Sequence, residues 1–176
     1  MFEINQQTKL VLAGLLLAIG LILPIIFHNF AIAGSVFLPM HIPVLLTGFI
    51  CGWKYGSAVG IIVPILSSVL TGRPPMFPMA VGMAFELLTY GLVTGILSRR
   101  KNIYATLISA MVAGRIVLGI ANAVLIGFFT NDSYTWSMFI SGAFVTALPG
   151  IIIQLILIPI ILTALTKTKL FEDSSI

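Results

Sequence analysis

The stretch FELLTYGLVTGILSRRKNIYATLISAMVAGR, Phe85 to Arg115, decides how this chain folds. Two apolar runs flank the basic cluster Arg99-Arg100-Lys101, and each run carries one ionisable residue, Glu86 before the cluster and Arg115 after it. Each run has the length of a membrane span, about 20 residues. The cluster at their shared end marks a cytoplasmic turn by the positive-inside rule. Glu86 lies 11 residues before Leu97 and Arg115 lies 12 residues after Ile103. At about 1.5 Å of rise per residue, both sit roughly 16–18 Å above the cytoplasmic ends, at nearly the same depth. A charge at mid-membrane costs at least ~2.5–3.5 kcal/mol. Pairing the two is the physically sensible arrangement, either as a salt bridge holding two helices together or as the lining of a polar cavity.

Composition agrees with lipid as the solvent. The chain has 176 residues, 59% hydrophobic and 8% charged, with a mean hydropathy of +1.16. Soluble domains carry about 25% charge. Outward from Phe85–Arg115, the other apolar runs are Leu10–Phe27, Met40–Gly52, Tyr55–Thr71 and Trp136–Thr166, with the two central runs at Pro78–Leu97 and Ile103–Phe129. The expected fold is an all-α membrane protein of six transmembrane helices, a single integral-membrane domain over 1–176. The second run is short, so it is either a tilted helix beginning near Val36 or one buried by its neighbours. GWKYG at Gly52 to Gly56 reads as a tight interfacial turn, with Trp53 and Tyr55 at headgroup level. AIAGS at Ala31 to Ser35 has the look of a signal-peptidase site. The preceding run is longer than a signal core and Glu3 weakens the basic leader, so the segment is expected to stay.

The formal charge is +4, but its placement matters more. Lys9, Lys54, Arg99, Arg100, Lys101, Lys167 and Lys169 fall on one side of a six-span chain, and Arg73 alone falls in the outer loops. Seven against one places both termini in the cytoplasm. No basic surface stretch interleaved with aromatics is present, so nucleic acid is not an expected partner. The lone Cys51, in an apolar run, reads as a small buried hydrophobe. Small residues recur at four-residue spacing: Gly14/Ala18, Gly48/Gly52, Gly56/Gly60, Gly91/Gly95 and Gly119/Ala123/Gly127. Such rows let helix backbones approach, within the bundle or on a partner subunit. Pro24, Pro64, Pro149 and Pro159 fall inside the runs, where prolines can kink helices.

HExxH, GxSxG, CxxC and GxxxxGK[ST] are all absent, and His28 and His41 flank one loop without forming a metal set. Catalysis has no visible machinery, no cofactor is expected, and any uphill transport draws its energy from another chain. Binding chemistry is better represented. Arg115, Gly119, Asn122 and Ile126 share one helical face, as do Glu86, Tyr90 and Gly82. An arginine and an amide opposite a glutamate and a phenol suit a polar organic molecule. Gln154 is expected deeper, bonded to a neighbouring helix.

With these residues in hand, the chain resembles the substrate-binding S components of energy-coupling factor (ECF) vitamin transporters. The resemblance rests on LPMHIPVLLTGFICGWKYG at Leu38 to Gly56 and LTGRPPMFPMAVGMAFELLTYGLVTGIL at Leu70 to Leu97. Leu38 to Leu97 is most similar to the pantothenate type, with cobalamin and folate types as near alternatives. The resemblance implies a multi-pass protein of a prokaryotic cell membrane that binds its vitamin from outside and associates with a transmembrane coupling subunit and two cytoplasmic ATPases. It also implies that Leu70–Pro78 is a lid, whose Arg73 is the outward cation for an anionic ligand. His41, Arg73, Glu86, Tyr90, Arg115 and Asn122 are the candidate substrate-binding residues. The family's docking motif, Ala-x-x-x-Ala on the first helix, has its nearest match in Gly14-x-x-x-Ala18. A self-sufficient six-helix facilitator is the alternative; an intramembrane enzyme ranks third.

Overall fold

Lipid offers no partner to backbone N–H and C=O groups, so apolar runs that cross it close their hydrogen bonds internally as helices. The computed structural model describes residues 5–29, 37–99, 102–129 and 135–166. In chain order the elements are α1 (Gln6–Asn29), α2 (His41–Cys51), α3 (Trp53–Thr71), a wide turn over Met76–Ala80, α4 (Val81–Leu97), α5 (Ile103–Phe129), α6 (Trp136–Ile140), a second wide turn over Ser141–Val145, and α7 (Leu148–Thr166). No strand occurs among the described residues. Among the described residues, five helical stretches are long and apolar enough to cross a membrane: Gln6–Phe27, Trp53–Thr71, Met76–Leu97, Ile103–Gly127 and Leu148–Thr166.

The second run forms only α2, 11 residues long, about 16 Å at helical rise. Leu38–Met40, directly before it, are not helical. Every residue but Ile42 is buried, so α2 is held inside the bundle by its neighbours. Gly52 joins it to α3 at φ 93°, a left-handed backbone that suits glycine, and donates its N–H to the Gly48 carbonyl.

The core of the bundle is a glycine-lined contact of α3 with α4. A Cβ on Gly56 would lie 2.7 Å from the Gly91 carbonyl oxygen and 2.8 Å from the Gly48 Cα. Cβ atoms on Gly60, Gly91 and Gly95 would run into backbone of the facing helix, and one on Gly48 into the Thr94 hydroxyl. These small residues therefore serve packing within the bundle. Gly14 differs: nothing lies within 4 Å of its added Cβ. α4 packs against α2, α3 and α5, which makes it the central helix.

Two expected spans are modified by proline. α4 is entered through the wide turn over Met76–Ala80: Phe77, before Pro78, is extended at φ −122°, ψ 135°, because a residue preceding proline avoids the helical region, and Ala80 is already helical at φ −62°, ψ −38°. The run expected as one span over Trp136–Thr166 breaks at Thr146–Ala147. Pro149 stands in the first turn of α7, where its missing N–H costs nothing. It starts a helix there instead of kinking one.

The outer faces of α1, α5 and α7 are apolar and exposed. Ile108, Val112, Ile116, Ile120 and Val124 form a stripe along α5, and Ile152, Ile156 and Ile160 form another along α7. In water such stripes would be costly; in a bilayer they are the lipid face. α1, α2 and α7 also border an apolar cleft of about 510 Å³, lined by residues such as Leu16, Ile19, Leu46 and Leu157. None of the intramembrane ionisable residues lines it.

Candidate functional site

The polar residues of the interior gather elsewhere, between α2, α4 and α5. Glu86 is 1% exposed and Arg115 4% exposed. Arg115 Nη1 stands 3.1 Å from Glu86 Oε1, so the depth matching read along the two runs is realised as an ion pair. On the other side of the carboxylate, His41 Nε2 lies 3.5 Å from Glu86 Oε2. Tyr90, one helical turn after Glu86, meets the His41 ring edge-on at 5.4 Å between centroids. Its hydroxyl is within reach of both the Glu86 carboxylate and the Arg115 guanidinium.

Local sequence explains how four polar side chains are held in an apolar bundle. Glu86 and Tyr90 project from the same face of α4 by their four-residue spacing. His41 is the first residue of α2 and so comes in at one end of that buried helix. Arg115 follows Gly114, and a Cβ on Gly114 would strike the Tyr90 ring. This missing side chain lets α5 approach α4 closely enough for the ion pair. Asn102 caps α5, accepting a hydrogen bond from the Ala105 N–H at 2.7 Å.

Hydrogen bonding in the cluster is incomplete. Arg115 Nε and Nη2 and both His41 ring nitrogens are buried without a hydrogen-bond partner among the described residues. Buried donors in this state are expensive, at about 1–3 kcal/mol each. Donors in this state can bond a polar molecule that enters the cluster.

Of the six candidate substrate residues, the structure brings together His41, Glu86, Tyr90 and Arg115. Asn122 stands apart: seven residues along α5 from Arg115, about 10 Å at helical rise, its Oδ1 fits over Gly82 of α4. Arg73 is exposed beyond the end of α3. Its carbonyl accepts hydrogen bonds from the Ser67 hydroxyl at 2.8 Å and the Thr71 hydroxyl at 3.1 Å, so the backbone of this loop is tied to α3. No contact joins Arg73 to the buried cluster among the described residues. Gln154 is buried, but its amide nitrogen makes none of the inter-helix bonding expected of it among the described residues. The placement of His41 against Glu86 and the seat made by Gly114 were not read from the sequence. The second had a signal, a glycine directly before the one arginine inside a span.

Of the docking pair, Gly14 is exposed on α1 and Ala18 is half-buried. His28 and the segment Ala31 to Ser35 lie outside the described side chains.

Comparison with known proteins gives one answer. No curated protein and no solved structure is matched by the chain. A family model described as "ECF transporter, substrate-specific component" matches residues 8–162, from the first turn of α1 to the last turn of α7. With a buried polar cluster inside a multi-pass helical bundle, the chain belongs to the substrate-specific components of ECF transporters, and is a substrate-binding transport subunit that works with an ECF module and is not an enzyme.

Proposed function

We propose that this S component captures pantothenate, or a vitamin of similar size and polarity, at the Glu86–Arg115 cluster and passes it to an ATPase-driven coupling module. The observation that carries this reading is the buried guanidinium of Arg115, two of whose three nitrogens have no hydrogen-bond partner among the described residues. A guanidinium in that state suits an anionic or strongly polar substrate group. Pantothenate offers a carboxylate, and the resemblance of Leu38–Leu97 to the pantothenate type supports the choice. Glu86, Tyr90 and His41 complete the pocket wall, Asn122 extends it along α5, and Arg73 attracts the ligand's charge at the outer loop.

In this proposal the whole chain, 1–176, forms one integral-membrane unit of a prokaryotic cell membrane with both termini inside. The substrate enters from the side of the Gly72–Pro75 loop. Gly14 and Ala18 on α1 meet the transmembrane coupling subunit, which carries two cytoplasmic ATPases, and membrane lipid covers the remaining apolar faces.

The test is native mass spectrometry of protein purified without added ligand, together with affinity purification from cells carrying the coupling subunits. Expected are a bound mass equal to pantothenate and recovery of all the module's chains. A bound mass of folate or cobalamin would move the assignment to that vitamin. Transport by the chain alone in proteoliposomes, without the ATPases, would overturn the division of labour.

A further inference from the structure

Arg115 divides its donors between two tasks. Nη1 pairs with Glu86 Oε1, whereas Nε and Nη2 are buried and have no hydrogen-bond partner among the described residues. Nε–H and Nη2–H lie side by side along one edge of the guanidinium, the geometry that a carboxylate accepts with its two oxygens. The far flank of Glu86 is occupied by His41, 3.5 Å away, and neither imidazole nitrogen has a hydrogen-bond partner among the described residues.

Charge counting then gives a result that neither residue gives alone. With a neutral imidazole, Glu86 and Arg115 sum to zero. A carboxylate seated on the unbonded, buried Nε–Nη2 edge of Arg115 leaves the cluster with one net negative charge. Uncompensated charge inside a bilayer is strongly disfavoured, and one proton removes it. Imidazole is the side chain that ordinarily changes charge near neutral pH, and this one already faces the carboxylate it would neutralise.

We propose that a carboxylate-bearing substrate docks on the Nε–Nη2 edge of Arg115 together with one proton, which His41 takes up, so that the loaded site remains neutral. This rests on the S-component reading above and gives it a substrate group and a pH control. The groups facing His41 are few. From α4 they are Glu86 and Tyr90, with Arg115 behind them on α5. The ionisable residues of α1 and α3 with described side chains, Lys9, Lys54 and Tyr55, lie at the opposite end of α2: Lys9 acts on Cys51, and the Tyr55 hydroxyl donates to Gln6 Oε1. α7 has no ionisable residue.

Two measurements on the full chain in detergent decide the matter. In the first, thermal melts with propionate and with uncharged propionamide are compared from about pH 5.5 to 8.5. Propionate should stabilise, increasingly toward acid, and propionamide should not. In the second, pantothenate is titrated calorimetrically in buffers of different ionisation enthalpy. At the alkaline end of this range about one proton should be taken up per pantothenate, and the dissociation constant should rise about tenfold per pH unit there. His41→Gln should abolish the proton uptake; because the count is made on the unaltered chain, the test does not depend on that variant folding. Propionate stabilisation that grows toward acid, without pantothenate binding, would sustain the inference and remove pantothenate as the substrate. Pantothenate binding with no proton uptake, or uptake that persists in a folded His41→Gln, would overturn it. Absence of both the propionate effect and pantothenate binding would overturn it as well.

Discussion

At the scale of single residues, Glu86 and Arg115 are worth more together than apart. Each is at least 96% buried, and removing one partner leaves the other as an uncompensated buried charge, a loss of about 3–5 kcal/mol. Arg115→Ala is therefore expected to lower the melting temperature and to weaken vitamin binding. If the guanidinium bonds the substrate directly, the bond supplies roughly 1.5–3 kcal/mol, a ~10–150-fold change in dissociation constant. The double variant Glu86→Gln with Arg115→Gln removes both charges and should recover most of the stability while leaving binding poor. Arg73→Ala should weaken binding with an unchanged melt, since the residue is exposed outside the helices. Calorimetric titrations and melts on this set separate the roles. Wild-type affinity throughout would place the binding site elsewhere.

At the scale of elements, helix contacts of two kinds are visible. α3 and α4 meet through Gly56, Gly60, Gly91 and Gly95, where any added Cβ would collide with facing backbone. Gly91→Leu cannot be absorbed by rotating a flexible side chain, so a loss at or beyond the ~1–3 kcal/mol of ordinary overpacking is expected, together with loss of binding. Gly14→Leu is the counterpart: its site is open, and the isolated chain should melt and bind the vitamin as before, with surface changes worth within about 0.5 kcal/mol. Uptake by the assembled transporter should nevertheless fail if α1 docks on the coupling subunit there. Unimpaired uptake by Gly14→Leu would move the docking face off this part of α1. The four-residue glycine spacing was legible in the sequence because it is a local pattern. Which rows face inward was not, because Gly14 and Gly91 have similar apolar neighbours in sequence and differ only in what the fold brings opposite them. The break before Pro149 was missed for a related reason: hydropathy is uninterrupted from Trp136 to Thr166, and a proline in such a run can either kink a helix or begin one.

At the scale of the whole molecule, the apolar segments were readable because lipid imposes length on any chain that crosses it. The Glu86–Arg115 pairing was readable too, since both helices start from a shared turn and depth follows from residue count. His41 could not be assigned a partner that way, as α2 is short and buried and its depth follows from packing rather than from span length. The short α2 also bears on topology. Among the described residues five stretches are long enough to cross, and α2, at 11 residues, covers about half of a 30 Å hydrocarbon core. The sidedness of the loops on either side of α4 is thus a separate question from the number of spans. The seven-to-one distribution of Lys and Arg predicts that the loop at 72–75 faces outward and the turn at 98–102 inward. Met76→Cys and Asn102→Cys test this in intact cells, and the background is low because the native Cys51 is only 5% exposed. Met76, 41% exposed beside the loop at 72–75, should be labelled by a membrane-impermeant maleimide. Asn102, exposed at the start of α5, should be labelled only after the membrane is permeabilised. The reverse pattern would put the end of the bundle nearest Arg73 in the cytoplasm, and substrate capture from outside could not then proceed past that loop to the Glu86–Arg115 cluster.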